Sequence, residues 1–470
     1  MRDKAAELRI DNGMIVTMNE RREIIKEGSI VIDQGSIVAL GKTKALANQY
    51  PAQKIIDARN KIVMPGLIDA HVHNTQMLAR GLGDDLDLIP WCFDYIYPYE
   101  AEMTDQDTYY STLLCAMEMI RTGTTCVVDP GGYRMDYVAK ALQDFGMRGI
   151  ISWAGMDEWS PERHLPEKLP GRLSTRKTLE EEERLVSAWH KKAEGLLRAS
   201  YALRVESNVS ADLYREITRL AKRDGVMIQM HAAVTKSQVE FVRKKTGLTT
   251  IYYLDSLGVL GPEWFLSHLS VVDEQELQIL IDKGVRVCHN PGSSMHGGYG
   301  ACAKGRIPEM IQAGMAVALG ADGSSSNNSL DMFRTLWQVA TVHKEARQRC
   351  DLIPPEQALE LATIQGAKTI QWDDEIGSLE AGKKADLIIV DCYRPNWLPL
   401  HDFSIISNLV YAGSGDDVET VVINGKIIME NREFMTIPKN VVLKEAQSIS
   451  ERIIASIPKG ARLKARWPVQ

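Results

Sequence analysis

The sequence lacks any run of about 18 apolar residues, the length that a membrane-spanning helix needs, so we expect no transmembrane segment. Its charged start, residues 1–7, is without the apolar stretch of a signal peptide. Cysteine is scarce: the 7 cysteines are odd in number, scattered, and without C-x-x-C spacing. These absences favour a reduced, cytoplasmic protein with free thiols.

An excess of positive charge is also missing. The formal net charge of −7 argues against nucleic-acid binding, so we expect a small-molecule substrate and neither nucleic acid nor membrane as a partner. The composition, with 44% hydrophobic and 25% charged residues, is that of a globular protein with a large core. A length of 470 residues fits a barrel with a smaller appended domain.

The two ends of the chain are rich in short strands. Residues 1–62 place Asn12-Gly13 and Gln34-Gly35 between apolar runs, as hairpin turns require. Residues 377–435 contain a similar hairpin around Asn424-Gly425. We expect these two segments to form one β-sandwich domain, with residues 436–470 as a C-terminal helical extension.

The middle of the chain, residues 63–376, alternates strand-like and helical stretches, which favours parallel βα units. Eight such units predict an α/β fold, a (β/α)8 or TIM barrel. The candidate strands cover residues 67–73, 124–129, 149–153, 203–207, 226–231, 264–268, 285–289 and 316–322.

Barrel enzymes place their chemistry at the C-terminal ends of the strands. Those ends carry His71, His73, Asp129, Ser207, His231, His268, His289 and Asp322. Neutral imidazoles and a carboxylate are the ligands of a zinc-like ion that keeps a position open for water and makes that water nucleophilic near neutral pH. A His-x-His pair alone is as typical of a polar cross-strand pair or of loop histidines as it is of a metal site. The histidines and the aspartate at the other strand ends favour the metal site.

Several motifs resemble the amidohydrolase superfamily. Within it they resemble the branch that contains triazine hydrolases, cytosine and guanine deaminases, and methylthioadenosine or S-adenosylhomocysteine deaminases. The resemblance covers nearly the whole chain. The matching segments are residues 65–73, 123–125, His231, His268, 289–291, 320–328 and 377–387.

This resemblance implies a distorted barrel with a β-sandwich and one divalent metal ion. The implied ligands are His71, His73, His231 and Asp322, and the implied catalytic residues are Asp322 and His268. Zinc is the expected metal, with iron, cobalt or manganese as alternatives. A homodimer or homotetramer is expected.

One position departs from the branch. Its deaminases carry a glutamate three residues after the fifth-strand histidine, where it moves a proton to the substrate ring, and this chain has Val234 there. Either another acid, such as Asp157 or Glu158, replaces it, or the reaction needs no ring protonation. We therefore favour hydrolysis of a urea, carbamate or amide, as in the phenylurea and molinate hydrolases that the chain resembles.

Two alternatives remain open. One is a deaminase or dechlorinase acting on a purine, pyrimidine or s-triazine, and the other is a catalytically inactive metal-binding barrel. Candidate substrate-binding residues are His289, Asp129, Glu158 and Trp91. Trp91 belongs to an aromatic segment, residues 82–99, that fits either an apolar pocket or a packing surface between subunits. For His289 a structural role is an equal alternative.

Overall fold

The computed structural model describes residues 5–159, 165–457 and 467–468. It contains an eight-stranded parallel sheet that forms a nearly closed barrel, and a nine-stranded mixed sheet built from both ends of the chain. The predicted fold class is confirmed. None of the helices in the described residues is long and apolar enough to cross a membrane.

The strands are numbered in chain order. They are β1 (Ala6–Val16), β2 (Ile24–Asp33), β3 (Ser36–Lys42), β4 (Ala52–Asp57), β5 (Lys61–Pro65), β6 (Leu67–Asp69), β7 (Thr124–Val128), β8 (Arg148–Ser152), β9 (Leu197–Val205), β10 (Ile228–Ala232), β11 (Trp264–His268), β12 (Arg286–His289), β13 (Val317–Leu319), β14 (Leu387–Asp391), β15 (Val418–Ile423), β16 (Lys426–Glu430) and β17 (Glu433–Phe434).

The α-helices of the described residues are numbered in the same way. They are α1 (Thr43–Gln49), α2 (Leu88–Pro90), α3 (Tyr97–Glu102), α4 (Asp105–Arg121), α5 (Met135–Phe145), α6 (Thr175–Trp189), α7 (Ala211–Asp224), α8 (Lys236–Thr246), α9 (Thr250–Ser256), α10 (Glu274–Asp282), α11 (Pro291–His296), α12 (Ile307–Gln312), α13 (Met332–Arg347), α14 (Pro355–Leu361), α15 (Ile364–Thr369), α16 (Ile405–Tyr411) and α17 (Lys439–Ser456).

The barrel runs from β6 to β13, and each strand pairs in parallel with the next along the chain. Backbone hydrogen bonds bring the first and last strands together: Ala70 N donates to Leu319 O at 2.9 Å, and Asp322 N donates to His71 O at 2.8 Å. This closure places the segments that follow β6 and β13 side by side.

The terminal sheet combines β1 to β5 with β14 to β17. β5 lies between β1 and β14 and leads through Gly66 directly into β6. A Cβ atom on Gly66 would lie 2.1 Å from the side chain of Thr125, so only glycine fits this crossing. The sheet thus extends to Pro65, and the domain boundaries at 62 and 377 stay predictions.

The predicted C-terminal extension contains α17, whose buried residues Ala446, Ile449 and Ile453 pack with Leu78 and Tyr99 near the barrel mouth. Residues 1–4, 160–164, 458–466 and 469–470 lie outside the described residues. The part of the extension beyond α17 and the first residues of the N-terminal segment therefore stay predictions.

Candidate active site

Four predicted ligands meet at the C-terminal end of the barrel. His73 Nε2 lies 3.1 Å from His231 Nε2. Asp322 Oδ1 lies 3.7 Å from His71 Nε2 and 3.6 Å from His73 Nε2. The predicted catalytic pair is adjacent, because His268 Nε2 lies 3.8 Å from Asp322 Oδ2.

Hydrogen bonds from outside the cluster orient two of these rings. Ser267 Oγ lies 2.8 Å from His71 Nδ1, and His231 Nδ1 donates to the carbonyl oxygen of Arg204 at 2.7 Å. Each contact uses Nδ1 and leaves Nε2 facing the cluster. Such bonds to the second ring nitrogen are typical of metal-binding histidines.

The electrostatics of the cluster favour neutral imidazoles. Burial lowers the pKa of His71 and His73 well below the ordinary histidine value, and the neighbouring imidazoles lower it further. Burial, together with His268 and Arg204, lowers the pKa of His231 to about 3. Neutral imidazoles offer lone pairs to a metal ion.

The cluster therefore fits a divalent cation. His71 Nε2 is buried and has no hydrogen-bond partner among the described residues, although buried polar atoms are normally satisfied. His71, His73 and Asp322 bring one ligand atom each within 4.8 Å of one another, and so do His71, His231 and His268. A cation held by His71, His73, His231 and Asp322 would give His71 Nε2 the partner that it lacks.

Strained backbone supports two of the site residues. His268 has φ of 78° and Asp322 has φ of 70°, in the left-handed region that side chains other than glycine rarely adopt. Such strain costs on the order of 1–3 kcal/mol per residue and is concentrated at functional sites. Nearby, a Cβ on Gly320 would lie 2.3 Å from Asn290 Oδ1 and 2.7 Å from the Cβ of His71. Only glycine therefore fits at position 320, two residues before Asp322.

A cavity opens directly onto the cluster. Trp91, one of the predicted substrate-binding residues, lines it, and so does Val234. The remaining lining residues are His73, Gln76, Leu88, Cys92, Tyr97, Arg204, Val205, His231, Gln238, His268, Tyr299, Asp322 and Ser326. The aromatic segment after β6 therefore contributes to an apolar pocket, which was one of its two predicted roles.

Asp129 and His289, two other predicted substrate-binding residues, lie outside this lining, and their contact with substrate stays a prediction. Asp129 is buried and accepts hydrogen bonds from Asn74 Nδ2 at 2.8 Å and from Gly131 N at 2.9 Å. Burial raises its pKa to about 6. His289 is fully buried with its Nε2 3.1 Å from His343 Nε2. With Cys302 these two histidines form a second buried group whose ligand atoms lie within 4.8 Å of one another.

The acids proposed to replace the glutamate at position 234 are also outside the lining. Glu158 forms an ion pair with Lys245. Asp157 accepts hydrogen bonds from Ser210 N at 2.8 Å and from Thr175 Oγ1 at 2.8 Å, next to the starts of α7 and α6. Both carboxylates are held by neighbouring loops and helices, and a role of either in place of the glutamate stays a prediction.

Arg204 was not among the predicted site residues, because the fourth barrel strand was predicted to end at Ser207. β9 ends at Val205, and residues Glu206–Asn208 form a 3-10 turn. The side chain of Arg204 therefore reaches the cavity and that of Ser207 does not. A charged residue near the end of an apolar barrel strand was the signal available in the sequence.

Glu206 was missed as well. Its Oε1 accepts hydrogen bonds from Ala233 N at 3.0 Å and from Thr250 Oγ1 at 3.3 Å, so the carboxyl group lies beside the backbone next to Val234. Burial raises its pKa to about 7. It does not line the cavity, and its contacts fix the loop that follows β10.

Comparison with known proteins agrees with this geometry. Over 96% of its length, the chain is 34% identical to a 5'-deoxyadenosine deaminase of Methanosarcina mazei, of which it covers 99%. It is also 34% identical to a 5-methylthioadenosine/S-adenosylhomocysteine deaminase of Thermoanaerobacter pseudethanolicus, with 95% of this chain and 99% of that protein aligned.

Among solved structures, a zinc-bound adenosine deaminase of Xanthomonas campestris superposes with a TM-score of 0.88, at 26% identity over 96% of this chain and 99% of that one. The amidohydrolase family profile matches residues 62–428. This range spans the barrel and every residue of the cluster. The chain belongs to the amidohydrolase family and is an enzyme that hydrolyses carbon–nitrogen bonds.

Proposed function

We propose that the protein is a zinc-dependent aminohydrolase that removes an exocyclic amino group from a nitrogen heterocycle, with an adenine nucleoside as the first substrate class to test. The observation that carries this proposal is the full-length similarity to named deaminases, together with the gathered cluster of His71, His73, His231, His268 and Asp322. The relatives thus favour deamination over the urea, carbamate or amide hydrolysis that Val234 favoured.

The roles of the residues follow from their geometry. His71, His73, His231 and Asp322 would hold a divalent cation, which would supply the Lewis acidity that makes water nucleophilic near neutral pH. Asp322 Oδ2 faces His268 Nε2 at 3.8 Å. The carboxylate would accept a proton from the attacking water and pass it to the departing nitrogen, while His268 would bind the group on which charge develops. The apolar wall, including Trp91 and Val234, excludes bulk water and packs against a planar ring.

Hydrolysis of a urea, carbamate or amide is the second candidate. Val234 favours it, because attack on a carbonyl carbon needs no proton transfer to a ring nitrogen. Among the described residues that line the cavity, Asp322 is the only carboxylate. A triazine hydrolase and a guanine deaminase share the fold of this chain. This shared fold is consistent with the proposed branch of the family, but it does not favour either of the two reactions.

Product analysis tests the proposal. Purified, zinc-loaded protein is incubated with adenine nucleosides, aminopyrimidines, amino-s-triazines and N-aryl ureas, and ammonia and arylamine are quantified separately. The proposal predicts ammonia from an aminated heterocycle. The ureas are N-aryl-N',N'-dialkyl ureas, whose hydrolysis releases arylamine, dialkylamine and carbon dioxide but no ammonia. Arylamine from these ureas without ammonia from the heterocycles would establish the second candidate, and absence of both products would support the inactive-barrel alternative.

The remaining expectations stay predictions. Zinc is tested by elemental analysis of protein purified without added metal, with iron, cobalt or manganese as the alternative outcomes. A homodimer or homotetramer is tested by light scattering. A cytoplasmic location is tested by cell fractionation.

A further inference from the structure

A second group of potential metal ligands shares no residue with the cluster at the barrel mouth. His289 ends β12, Cys302 lies in the segment between α11 and α12, and His343 lies on α13. One ligand atom of each lies within 4.8 Å of those of the other two. The Nε2 atoms of the two histidines are 3.1 Å apart. The fold thus gathers two imidazoles and a thiol from three separate elements.

The surroundings of this group keep both imidazoles neutral, because His289 and His343 are fully buried. Burial and the neighbouring histidines lower the pKa of His289 well below the ordinary histidine value. Burial and the charge of Arg347 lower the pKa of His343 to about 4. The carboxylate of Glu309 and a backbone hydrogen bond with Cys302 oppose this shift only in part. Each ring therefore keeps one lone pair that can bind a cation.

Contacts within the protein do not use all the polar atoms of this group. A hydrogen bond between the two Nε2 atoms needs one proton and gives no role to the sulfur, and His289 Nδ1 is buried without a hydrogen-bond partner among the described residues. Cys302, 5% exposed, donates from Sγ to the carbonyl oxygen of Pro291 at 3.7 Å, a weak hydrogen bond, and its sulfur accepts one from the Ser294 hydroxyl. Burial raises the pKa of this thiol to about 11, so the sulfur keeps its proton until a cation displaces it.

Two neutral imidazoles and a thiolate are typical ligands of thiophilic transition-metal ions. Thiolate sulfur selects zinc and monovalent copper, and imidazole suits both. Magnesium and calcium instead take oxygen ligands, and none of the three residues offers a carboxylate. The cluster at the barrel mouth differs, because it contains Asp322 and no cysteine. This difference in ligand chemistry allows an experiment to separate the two groups.

We propose that His289, Cys302 and His343 form a second metal site, which binds zinc or monovalent copper. On binding, Cys302 loses its thiol proton to solvent and the sulfur bonds to the cation. If the ion is zinc, the three protein donors leave a fourth position for water. The site takes no part in the attack on the substrate, so the inference goes beyond the proposed function and does not depend on it.

The second site would fix one wall of the substrate cavity. Tyr299, three residues before Cys302, lines the cavity, and its ring centre lies 6.1 Å from that of His268. A cation bound to Cys302 and His343 ties the segment between α11 and α12 to α13, and its bond to His289 ties the same segment to the barrel strand β12. Structural metal ions of this kind contribute directly to the stability of the fold.

Cobalt substitution tests the site in the whole protein. Co²⁺ bound to a thiolate gives an intense charge-transfer band in the near ultraviolet, whereas Co²⁺ bound only to nitrogen and oxygen does not. The protein is produced with cobalt in place of zinc, and its metal content and absorption spectrum are recorded. We expect two equivalents of cobalt and the thiolate band. Elemental analysis of protein purified without added metal distinguishes zinc from copper.

Substitutions separate the two sites. Cys302→Ala should bind one equivalent and lose the band, whereas His231→Ala, which alters the cluster at the barrel mouth, should bind one equivalent and keep the band. Cys126→Ala is the matched control, because Cys126 is also buried but belongs to neither group, and it should keep both equivalents and the band. His343→Gln repeats the test if Cys302→Ala does not fold.

A single equivalent without the thiolate band in the wild type would overturn the inference and leave His289 and His343 as a hydrogen-bonded pair. A band that persists in Cys302→Ala, or that is lost equally in Cys126→Ala, would overturn it as well. The proposed function is judged separately, from the release of ammonia and arylamine. A wild type that binds two equivalents, shows the band and releases no product would retain the second site and remove the proposed function.

Discussion

Individual side chains in the cluster are held in place by different means. His231 is oriented by the carbonyl group of Arg204, whereas Asp322 is fixed by a left-handed backbone and by the hydrogen bond from its own N–H to His71 O. A mutation at each position therefore removes a different function. The histidine contributes binding energy for the cation, and the aspartate also contributes to proton transfer.

His231→Ala should lose the metal ion, because only three of the four proposed ligands remain and alanine has no atom that could coordinate the metal. We expect the bound metal, measured by inductively coupled plasma mass spectrometry after dialysis, to fall by one equivalent. His401→Ala, an exposed histidine far along the chain, is the control and should retain the metal. Equal metal content in the two variants would contradict the ligand assignment.

Asp322→Asn should abolish most turnover while part of the metal is retained, because an amide oxygen still coordinates but does not accept a proton. General acid–base groups typically contribute about 10²–10⁴-fold, and we expect a fall in kcat of at least the lower figure. Steady-state kinetics on metal-loaded protein measure it. Wild-type kcat in this variant would exclude Asp322 as the base.

Glu206 should make the protein less stable as pH rises. Its pKa of about 7 in the folded protein lies above the pKa of an exposed glutamate. Between pH 4.5 and 7 the unfolded chain therefore releases this proton while the folded protein keeps it, and the free energy of unfolding falls as pH rises. Glu206→Gln should remove this loss and be more stable than the wild type at pH 8 by up to about 3 kcal/mol, with little difference at pH 4.5. Urea denaturation at both pH values measures it.

The exposed Glu180→Gln is the control for this pH effect. It should change the free energy of unfolding by similar small amounts at both pH values. If Glu206→Gln behaves in the same way, the buried carboxyl group is not protonated in the folded protein.

Residue types at strand ends were predictable, and their partners were not. His71, His73, His231 and Asp322 follow apolar runs, and barrel geometry brings such positions together. The pair between Glu100 and Arg204 joins residues that are 104 positions apart, and no local pattern indicates it. Asp129 also ends a strand, but its carboxylate accepts a tertiary hydrogen bond from Asn74 and a local one from Gly131, which use its oxygens elsewhere.

Elements were predictable where apolar runs are long. All eight barrel strands were identified because strands buried on both faces are almost continuously apolar. Their ends were less certain: β9 stops at Val205, since a 3-10 turn begins at Glu206 and redirects the chain. A turn of three polar residues has no periodicity, so the sequence alone extended the strand to Ser207.

The helix α17 supports the segments at the barrel mouth, and two adjacent isoleucines test this contribution. Ile453 is fully buried and Ile454 is 36% exposed. Ile453→Ala should lower the free energy of unfolding by about 2–5 kcal/mol, because it leaves a cavity against Leu78 and Tyr99. Ile454→Ala should change it by about 0.5 kcal/mol or less. Similar values for both variants in urea denaturation would show that α17 is not docked in this way.

At the scale of the whole molecule, a buried ion pair joins the barrel to the terminal sheet. Arg148, at the start of β8, donates to Asp386, which also accepts from Asn424 N at 2.8 Å beside β15. Burial makes such a pair costly to break, because the remaining charge has no partner. The two ends of the chain thus support the barrel through a contact remote from the site.

Arg148→Ala should lower the free energy of unfolding by about 3–5 kcal/mol without loss of metal. Its comparison variant is Arg215→Ala, which breaks the exposed ion pair with Asp212 and should cost about 1 kcal/mol or less. Denaturation curves of both proteins measure the difference. An equal, small effect would mean that the buried pair does not stabilise the contact between sheet and barrel.

The central claim is that one cation lies at the barrel mouth. Anomalous diffraction tests it most directly, with data recorded at the absorption edge of the metal that elemental analysis identifies. The account predicts one strong peak at about 2.0–2.2 Å from nitrogen atoms of His71, His73 and His231 and from an oxygen of Asp322. A crystal of metal-loaded protein with no peak there, or with its only peak elsewhere, would contradict it.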